Sequence, residues 1–164
     1  MVWPDCVVLL KDDNSTGQFD DSGCLWMPQV ISKGIKALLA EANAVIPTLS
    51  VEAAAAMLGR EDVQFVDLRD PRELEREGRI PGAFHCPRGM LEFWIDPESP
   101  YAKPVFQADK TFVFFCAGGW RSALAARTAQ EMGLKPVAHI EGGFGAWKKS
   151  GATIEAPQAA ARET

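Results

Sequence analysis

From residue 45 onward, short apolar segments rich in β-branched and aromatic residues alternate with helix-like segments that end at glycine. This alternation is typical of an open, mainly parallel sheet with helices on both faces. The segments predicted as strands are VIPTL (45–49), VQFVDLR (63–69), the end of IPGAFHCP (80–87), TFVFFC (111–116) and VAHIE (137–141). The fourth is the most hydrophobic, which predicts a central and buried position. We therefore expect an α/β domain on a five-stranded sheet.

Capping residues indicate where the intervening helices begin. Ser50 precedes the run VEAAAAML, and its hydroxyl can accept a hydrogen bond from the first helical turn. Asp70 and Pro71 supply an N-cap and a first helical position, and Glu73 is placed to complete a capping box. Two further helices are predicted after the fourth and fifth strands, the first of them from about Ser122.

The ends of the chain differ from this pattern. Residues 1–26 contain the polar, turn-rich stretch KDDNSTGQFDDSG and are predicted to be a disordered tail. An alternative interpretation makes Met27 the translation start. The globular domain is predicted over 46–151, followed by a loose C-terminal tail over 152–164.

An amphipathic pattern precedes the globular domain, within residues 27–45. Apolar residues recur there every three or four positions, at Ile31, Ile35, Leu38 and Ala42. That spacing predicts a helix over 29–43 with one apolar face. We expect this helical extension to pack on the main domain.

Composition excludes several classes of partner and site. A net charge of −5 argues against nucleic acid or an anionic membrane as a partner bound by bulk charge. The cysteines, at 6, 24, 86 and 116, form no Cys-x-x-Cys pair, and with two histidines in the chain no metal site is expected. Cysteines this sparse also fit a secreted disulfide framework poorly. The N-terminus lacks a signal-peptide pattern, and no stretch approaches the roughly 20 apolar residues of a membrane span, so we expect a soluble, cytoplasmic protein.

One cysteine directly follows the most apolar segment. Ligands of open α/β sheets bind beyond the carboxyl ends of the strands, which places Cys116 at the binding edge. Gly118 and Gly119 allow successive backbone N–H groups to form an anion-binding nest, and the next helix N-terminus and Arg121 add positive charge. Such surroundings favour a thiolate, so the pattern predicts a nucleophile beside an anion site. A buried cysteine that acts as a small hydrophobe is the alternative.

Three stretches resemble the rhodanese family, the sulfurtransferases that carry a sulfane sulfur as a cysteine persulfide. CAGGWRSALAA (116–126) is similar to the family's active-site loop, VDLRDPRELEREGRIPGAFHCP (66–87) to its early signature, and IEGGFGAW (140–147) to its closing segment. The match extends over roughly residues 47–151. It implies a rhodanese-like fold and a single-domain enzyme of bacterial type that needs no metal or organic cofactor.

The length of the cysteine loop distinguishes two chemistries on this fold. The sulfurtransferases resembled here use a six-residue loop, whereas their cell-cycle phosphatase relatives have five residues between cysteine and arginine. Four residues separate Cys116 from Arg121: Ala117, Gly118, Gly119 and Trp120. This length favours sulfur transfer over phosphate chemistry.

The resemblance also implies a mechanism and its participants. Cys116 would take the outer sulfur of a small sulfur-containing anion such as thiosulfate, and a thiol or cyanide, or a sulfur-accepting protein, would then remove it. The backbone N–H groups from Ala117 to Ser122 would stabilise the persulfide, and Arg121 would bind the anionic end of the donor.

Neighbouring residues are candidates for supporting roles. Asp67 and Arg69 end the second strand on the same edge as Cys116, and in the family an Asp-x-Arg here helps to order the active-site region. A purely structural ion pair is an equal alternative. Arg88 follows the third strand and could add positive charge to the donor site, or be a solvated surface residue. Cys86 is predicted to be a buried spectator, with a role as resolving cysteine as the minor alternative.

Other residues are predicted to shape the fold. Gly142 and Gly143 would permit a tight turn from the fifth strand into the last helix. His85 and His139 are expected to be core histidines with satisfied hydrogen bonds. Trp120 lies inside the loop and is expected to shape access of the acceptor.

Functions of several classes remain open at this point. A persulfide carrier or sensor that hands sulfur to one partner protein would have the same loop as an enzyme. A cysteine phosphatase is disfavoured by loop length alone. A catalytically inactive interaction domain usually lacks the cysteine, which this chain retains.

Overall fold

The computed structural model describes residues 30–157 and the backbone of two short strands before them. These strands, β1 (Gln18–Phe19) and β2 (Leu25–Trp26), pair antiparallel. The chain divides into two compact units, 1–32 and 33–164. Apart from β1 and β2, the predicted disordered tail lies outside the described residues.

The second unit is built on a five-stranded sheet. Its strands are β3 (Thr48–Leu49), β4 (Val63–Asp67), β5 (Phe84–His85), β6 (Thr111–Phe115) and β7 (Val137–Ile140). They lie in the order β3-β7-β6-β4-β5, and every neighbouring pair is parallel. The predicted parallel sheet and the central position of its most hydrophobic strand are both confirmed.

Over residues 33–157, six helices connect and flank the strands of this unit. They are α1 (Ile35–Val45), α2 (Val51–Ala55), α3 (Pro71–Glu77), α4 (Leu91–Ile95), α5 (Trp120–Glu131) and α6 (Gly143–Lys149), with 3₁₀ turns at Arg88–Met90 and Pro104–Gln107. The predicted caps form: Ser50 Oγ accepts a hydrogen bond from the Ala53 N–H, and Asp70 and Glu73 make a complete capping box. Over the part of the chain described, no helix has the length and apolar character to cross a membrane.

Apolar cores lie on both faces of the sheet. Along β6 and just beyond it, Phe112, Phe114 and Cys116 face one core together with alanines of α5. The intervening residues face the other, as the two-residue period of a strand requires. That second core contains Val113, Phe115, Phe144 and Trp147. The helices therefore cover both faces, and the cysteine follows a strand that is buried on both sides.

The helix of the N-terminal extension is shorter than predicted. It begins at Ile35, not at 29, because Gly34 adopts an extended conformation (φ −79°, ψ 168°) and serves as the N-cap. Ile31 precedes the helix and is 76% exposed, so it takes no part in the predicted apolar face. Ala42 is fully buried, and α1 packs against α5.

Polar contacts also fasten α1 to the domain. His139 of β7 is buried, and its Nε2 lies 2.9 Å from Thr48 Oγ1 and 3.1 Å from Asn43 Oδ1. The Arg127 guanidinium of α5 donates to Glu41 of α1 at 2.9 Å. His139 Nδ1 is buried and has no hydrogen-bond partner among the described residues, so within them only one ring nitrogen of this histidine is satisfied.

The segment after α6 returns to the domain. Arg79 and Glu155 exchange two backbone hydrogen bonds, at 3.0 and 2.8 Å. The Trp147 indole N–H donates to the Thr153 carbonyl. These contacts involve the first part of the predicted loose tail, whose last residues, 158–164, lie outside the described part.

Acid should weaken the fold through His139. Burial lowers the pKa of His139 below its usual value of 6.5, so the unfolded chain binds a proton more readily than the native one. The free energy of unfolding should therefore fall as the pH drops below about 6.5, with a slope of at most about 1.4 kcal/mol per pH unit from this group. Urea unfolding between pH 7.5 and about 5.5 measures the slope, above the range in which carboxylates of lowered pKa such as Glu73 contribute.

Two substitutions test whether His139 causes this pH dependence of stability. His139→Gln should lose most of the slope, whereas His85→Gln should keep it because His139 is still present. An unchanged slope in His139→Gln would contradict the prediction.

Candidate active site

Cys116 immediately follows β6 and is 1% exposed. Its thiol donates to Ser122 Oγ at 3.7 Å, and the Ser122 hydroxyl donates to the Gly119 carbonyl at 3.0 Å. Ser122 is itself fully buried. The sulfur, the loop and the first turn of α5 are therefore connected by one short chain of hydrogen bonds.

Helix α5 begins earlier than predicted. Its first residue is Trp120, not Ser122, because Gly119 adopts a left-handed conformation (φ +89°) and serves as the N-cap. Trp120, Arg121 and Ser122 thus belong to the first turn, whose N–H groups have no acceptor within the helix. These N–H groups carry the positive end of the dipole of a 12-residue helix.

The loop presents a continuous set of unpaired amides. Among the described residues, no carbonyl or side chain accepts a hydrogen bond from the backbone N–H groups of residues 117–122. Consecutive N–H groups of this kind, at a helix N-terminus, form a site for an anion. The anion-binding nest stays a prediction, for which these unpaired N–H groups are available.

The first residues of α6 bind the loop through backbone hydrogen bonds. The Phe144 N–H donates to the Cys116 carbonyl at 2.7 Å, and the Gly145 N–H donates to the Ala117 carbonyl at 2.9 Å. Because the C=O and N–H of a trans peptide point in opposite directions, the N–H groups of Ala117 and Gly118 point away from α6. The sequence predicts the neighbouring glycine pair only as a tight turn, so this support was missed.

Gly143 allows this close approach. Its φ is +57°, and a Cβ at this position would collide with the Cys116 carbonyl and lie 2.9 Å from the Gly119 nitrogen. Only glycine can occupy the position without moving the loop.

Arg121 is bound to a carboxylate of α3. Its Nη1 lies 2.9 Å from Glu73 Oε2, and its Nη2 lies 2.9 Å from Glu73 Oε1. Glu73 Oε2 also accepts the Asp70 N–H at 2.9 Å. The sequence predicts Glu73 only as a capping residue. Its second partner lies 48 residues away, and no local pattern could have indicated it.

Electrostatics agree with this geometry. The pKa of Arg121 is raised, first by its hydrogen bonds to Glu73 and more weakly by the Cys116 sulfur. The pKa of Glu73 is lowered, first by the hydrogen bonds from Arg121. Both partners of the Arg121–Glu73 ion pair are therefore charged at neutral pH.

Asp67 and Arg69 form a buried ion pair. The Arg69 Nε donates to Asp67 Oδ1 at 2.9 Å, its Nη2 donates to Asp67 Oδ2 at 2.7 Å, and both side chains are almost inaccessible. Nη2 also donates to the Gly78 carbonyl, and the guanidinium carbon lies 3.8 Å from the centre of the Phe144 ring. The pair thus connects β4, the end of α3 and α6 beneath the loop.

Three further predicted residues have surroundings of their own. Arg88 Nη1 donates to both carboxylate oxygens of Glu92, at 2.8 and 3.0 Å, one helical turn away. Cys86 is fully buried in the same core as Cys116, and burial raises its pKa to about 12. Trp120 is 62% exposed at the start of α5, where it forms part of the surface beside the loop.

Comparison with known proteins places the chain in a family. The family model of the rhodanese-like domain matches residues 50–150. The chain belongs to the rhodanese-like domain family. It is 32% identical over 98 residues to a sulfurtransferase of Allochromatium vinosum, an alignment that covers 60% of this chain and 83% of that protein.

Solved structures agree on this fold. A thiosulfate sulfurtransferase of Pseudomonas aeruginosa superposes with a TM-score of 0.60 at 26% identity, over 76% of this chain and 23% of that one. A structure from Rhodopseudomonas palustris, described as a protein of unknown function and possible tyrosine phosphatase, superposes with a TM-score of 0.77 at 68% identity, over 79% of this chain and all of that one. The rhodanese-like fold predicted from the sequence is thus confirmed.

Substitution of Gly143 tests the support of the rhodanese-like loop by α6. Gly143→Ala should lower the free energy of unfolding by more than about 2 kcal/mol, because a collision with the loop backbone adds to the strain of positive φ. Gly151→Ala is the matched control: Gly151 follows the same helix with φ +76°, and no atom of the described residues lies within 4 Å of its would-be Cβ.

Urea unfolding of both variants measures the difference. The Gly151→Ala control should lose only about 1 kcal/mol of the free energy of unfolding, because it adds only the strain of a positive φ. Equal losses in the two variants would show that the approach of Gly143 to the loop is not tight in solution.

Proposed function

We propose that the protein is a sulfurtransferase that carries a sulfane sulfur as a persulfide on Cys116. The observation that carries the proposal is the run of unpaired amides over residues 117–122, which directly follows the cysteine. Membership of the rhodanese-like family and the sulfurtransferase relative support the same reaction class.

The proposed reaction has two steps. The Cys116 thiolate attacks the outer sulfur of a donor such as thiosulfate; a new S–S bond forms, the donor's S–S bond breaks, and sulfite leaves with the electron pair. A nucleophilic acceptor then attacks the outer sulfur of the persulfide, and the Cys116 thiolate leaves. Neither step requires an outside oxidant or reductant.

Groups on the chain have defined parts in these steps. The amides of Ala117 to Ser122 stabilise the negative charge of the persulfide, since an anion at a helix N-terminus meets both N–H groups and the helix dipole. The Ser122 hydroxyl accepts a hydrogen bond from the thiol at 3.7 Å and donates to the Gly119 carbonyl, so it connects the sulfur to the loop before the reaction. Asp67 and Arg69 act as positioning residues, because their ion pair lies beneath the loop and contacts Phe144.

The proposed partners are small molecules and a thiol acceptor. Cyanide serves as acceptor in an assay, and a cellular thiol or a sulfur-accepting protein serves in a reducing compartment. If the protein hands its sulfur to one partner only, it acts as a carrier, with a stable persulfide and slow turnover of thiosulfate.

A cysteine phosphatase is the second candidate, favoured by the description of the 68% identical structure. Two observations count against it. Four residues lie between Cys116 and Arg121, one fewer than in the cell-cycle phosphatase relatives of the family that the sequence resembles. Both Nη atoms of Arg121 are hydrogen-bonded to Glu73, whereas a phosphate dianion would need them.

Mass spectrometry of the intact protein tests the proposal. After incubation with thiosulfate, the wild type should gain the mass of one sulfur atom, and cyanide should remove it. Cys116→Ser should gain none, because the oxygen nucleophile is not ionised at neutral pH. Cys86→Ser is the matched control and should load like the wild type, since Cys86 is buried and its pKa is raised to about 12.

Other outcomes would contradict the proposed sulfurtransferase function or favour the phosphatase. Loading that persists in Cys116→Ser, or that disappears in Cys86→Ser with the fold intact, would contradict the proposal. Hydrolysis of an aryl phosphate that depends on Cys116, in a protein that takes up no sulfur, would establish the phosphatase instead.

A further inference from the structure

A cavity of about 200 Å³ lies beside the cysteine loop, between α1 and the start of α5. Leu39 and Asn43 of α1 line it on one side, and residues 118–120 of the loop line it on another. The family model matches residues 50–150, so α1 lies outside the matched span. This chain therefore adds a wall of its own to the region beside the loop.

Contacts among polar side chains hold part of the cavity lining together. His139 lines the cavity and is 4% exposed, and its Nε2 lies 2.9 Å from Thr48 Oγ1 and 3.1 Å from Asn43 Oδ1. Burial lowers the pKa of His139, so its imidazole is neutral at pH 7. Of the described residues that line the cavity, Glu141 therefore carries the only formal charge at neutral pH.

The register of the sheet places Glu141 next to Cys116. Phe114 of β6 is paired with His139 of β7. Cys116 and Glu141 each lie two residues further along, at about the 5 Å spacing of neighbouring strands and on the same face of the sheet. The Glu141 N–H donates to the Leu49 carbonyl of β3 at 2.9 Å, which keeps this residue in line with the sheet. The carboxylate therefore lies within the reach of a small molecule that reacts at the sulfur.

The Glu141 carboxylate is exposed and has no counterion among the described residues. Lys149 lines the cleft on the other side of Glu141 without forming an ion pair with it. Trp120, which also lines the cavity, is 62% exposed. A carboxylate without a counterion and an exposed indole both attract an ammonium group. The charge and the chemistry of this lining thus favour a small organic cation.

A negative charge at this place acts on the second step of the proposed reaction. The Cys116 persulfide would be anionic, and with Glu141 on the neighbouring strand it would repel an anionic acceptor. An ammonium group on the acceptor offsets that repulsion. Since a water molecule takes up about 30 Å³, the cavity has the volume of roughly seven waters and fits a small molecule.

We propose that the cavity between α1 and the loop binds the ammonium group of a small aminothiol, that this aminothiol is the sulfur acceptor, and that Glu141 selects it. This inference rests on the proposed function. The thiol attacks the outer sulfur of the Cys116 persulfide and a new S–S bond forms. The bond from that sulfur to Cys116 breaks, with the electron pair leaving on Cys116. The thiol proton passes to the transferred sulfur, so the products are an aminothiol hydropersulfide and the Cys116 thiolate.

Cysteamine and N-acetylcysteamine test the proposal, because acetylation removes the ammonium charge and leaves the thiol in place. The protein is loaded with thiosulfate and freed of excess donor, and removal of the sulfur is followed by rapid quenching and intact mass. Glu141→Gln should lower the second-order rate constant for cysteamine about tenfold and change that for N-acetylcysteamine less than about twofold. Glu141→Asp keeps the charge and should retain most of the preference for cysteamine.

The matched control for charge is Glu131→Gln, which should change neither rate constant. Glu131 pairs with Arg127 near the far end of the 12-residue helix α5, roughly 15 Å from the loop. An equal loss with both thiols in Glu141→Gln, or no loss with cysteamine, would overturn the inference and leave the proposed function intact.

A second pair of variants tests the wall that α1 provides. Leu39→Lys should lower the rate constant for cysteamine selectively, because the new ammonium group lies in the cavity and pairs with Glu141. Ala37→Lys adds the same charge at an exposed position of α1 and should have little effect. Equal effects of the two variants would overturn the assignment of the cavity.

The wild type separates failure of the inference from failure of the proposed function. If Cys116 gains sulfur from thiosulfate but neither thiol removes it, the acceptor belongs to another class and the inference is wrong. If Cys116 gains no sulfur at all, the proposed function is overturned and the inference with it.

Discussion

Two backbone hydrogen bonds from the start of α6 to the carbonyls of Cys116 and Ala117 determine what the loop can do. They fix the peptide planes after the cysteine, so that the amides point away from the helix and remain unpaired. Each bond contributes about 1 kcal/mol to stability. Their larger effect is preorganisation, since donors fixed before an anion arrives need no rearrangement when charge develops. Gly143 is the residue that permits this contact.

Phe144 also links the loop to the buried ion pair of Asp67 and Arg69. Phe144 donates its N–H to the loop and offers its ring to the Arg69 guanidinium, 3.8 Å away. Asp67 compensates that charge, and Arg69 in turn binds the carbonyl of Gly78, where α3 ends. A buried pair of this kind seldom adds net stability, but removal of one partner leaves a costly charge. It therefore fixes the mutual positions of β4, α3 and α6, on which the loop depends.

Local chemistry predicts much of this molecule. The strand periodicity, the capping box at Asp70 and the glycine loop after Cys116 are each encoded within a few residues, and the structure has all of them. Two helix starts were misplaced, at Ile35 and Trp120, because in each case a glycine serves as N-cap in place of a polar residue that a sequence pattern would identify. The site differs from expectation where partners are distant in sequence. Arg121 was expected to face the donor, but a carboxylate 48 residues earlier binds it.

This distant partner changes the chemistry that the loop favours. Backbone amides alone can stabilise the single negative charge of a thiolate. A free guanidinium beside them would also stabilise a bound dianion. Sulfur transfer and phosphoryl transfer both use a cysteine, a loop and an arginine, so these residues alone do not separate the two reactions. We propose that two further features separate them: the spacing of Cys116 and Arg121, and the pairing of Arg121 with Glu73. With Glu73 in place, the proposed nucleophile lies at a helix dipole with little excess positive charge, and this balance supports the proposed persulfide over a phosphate.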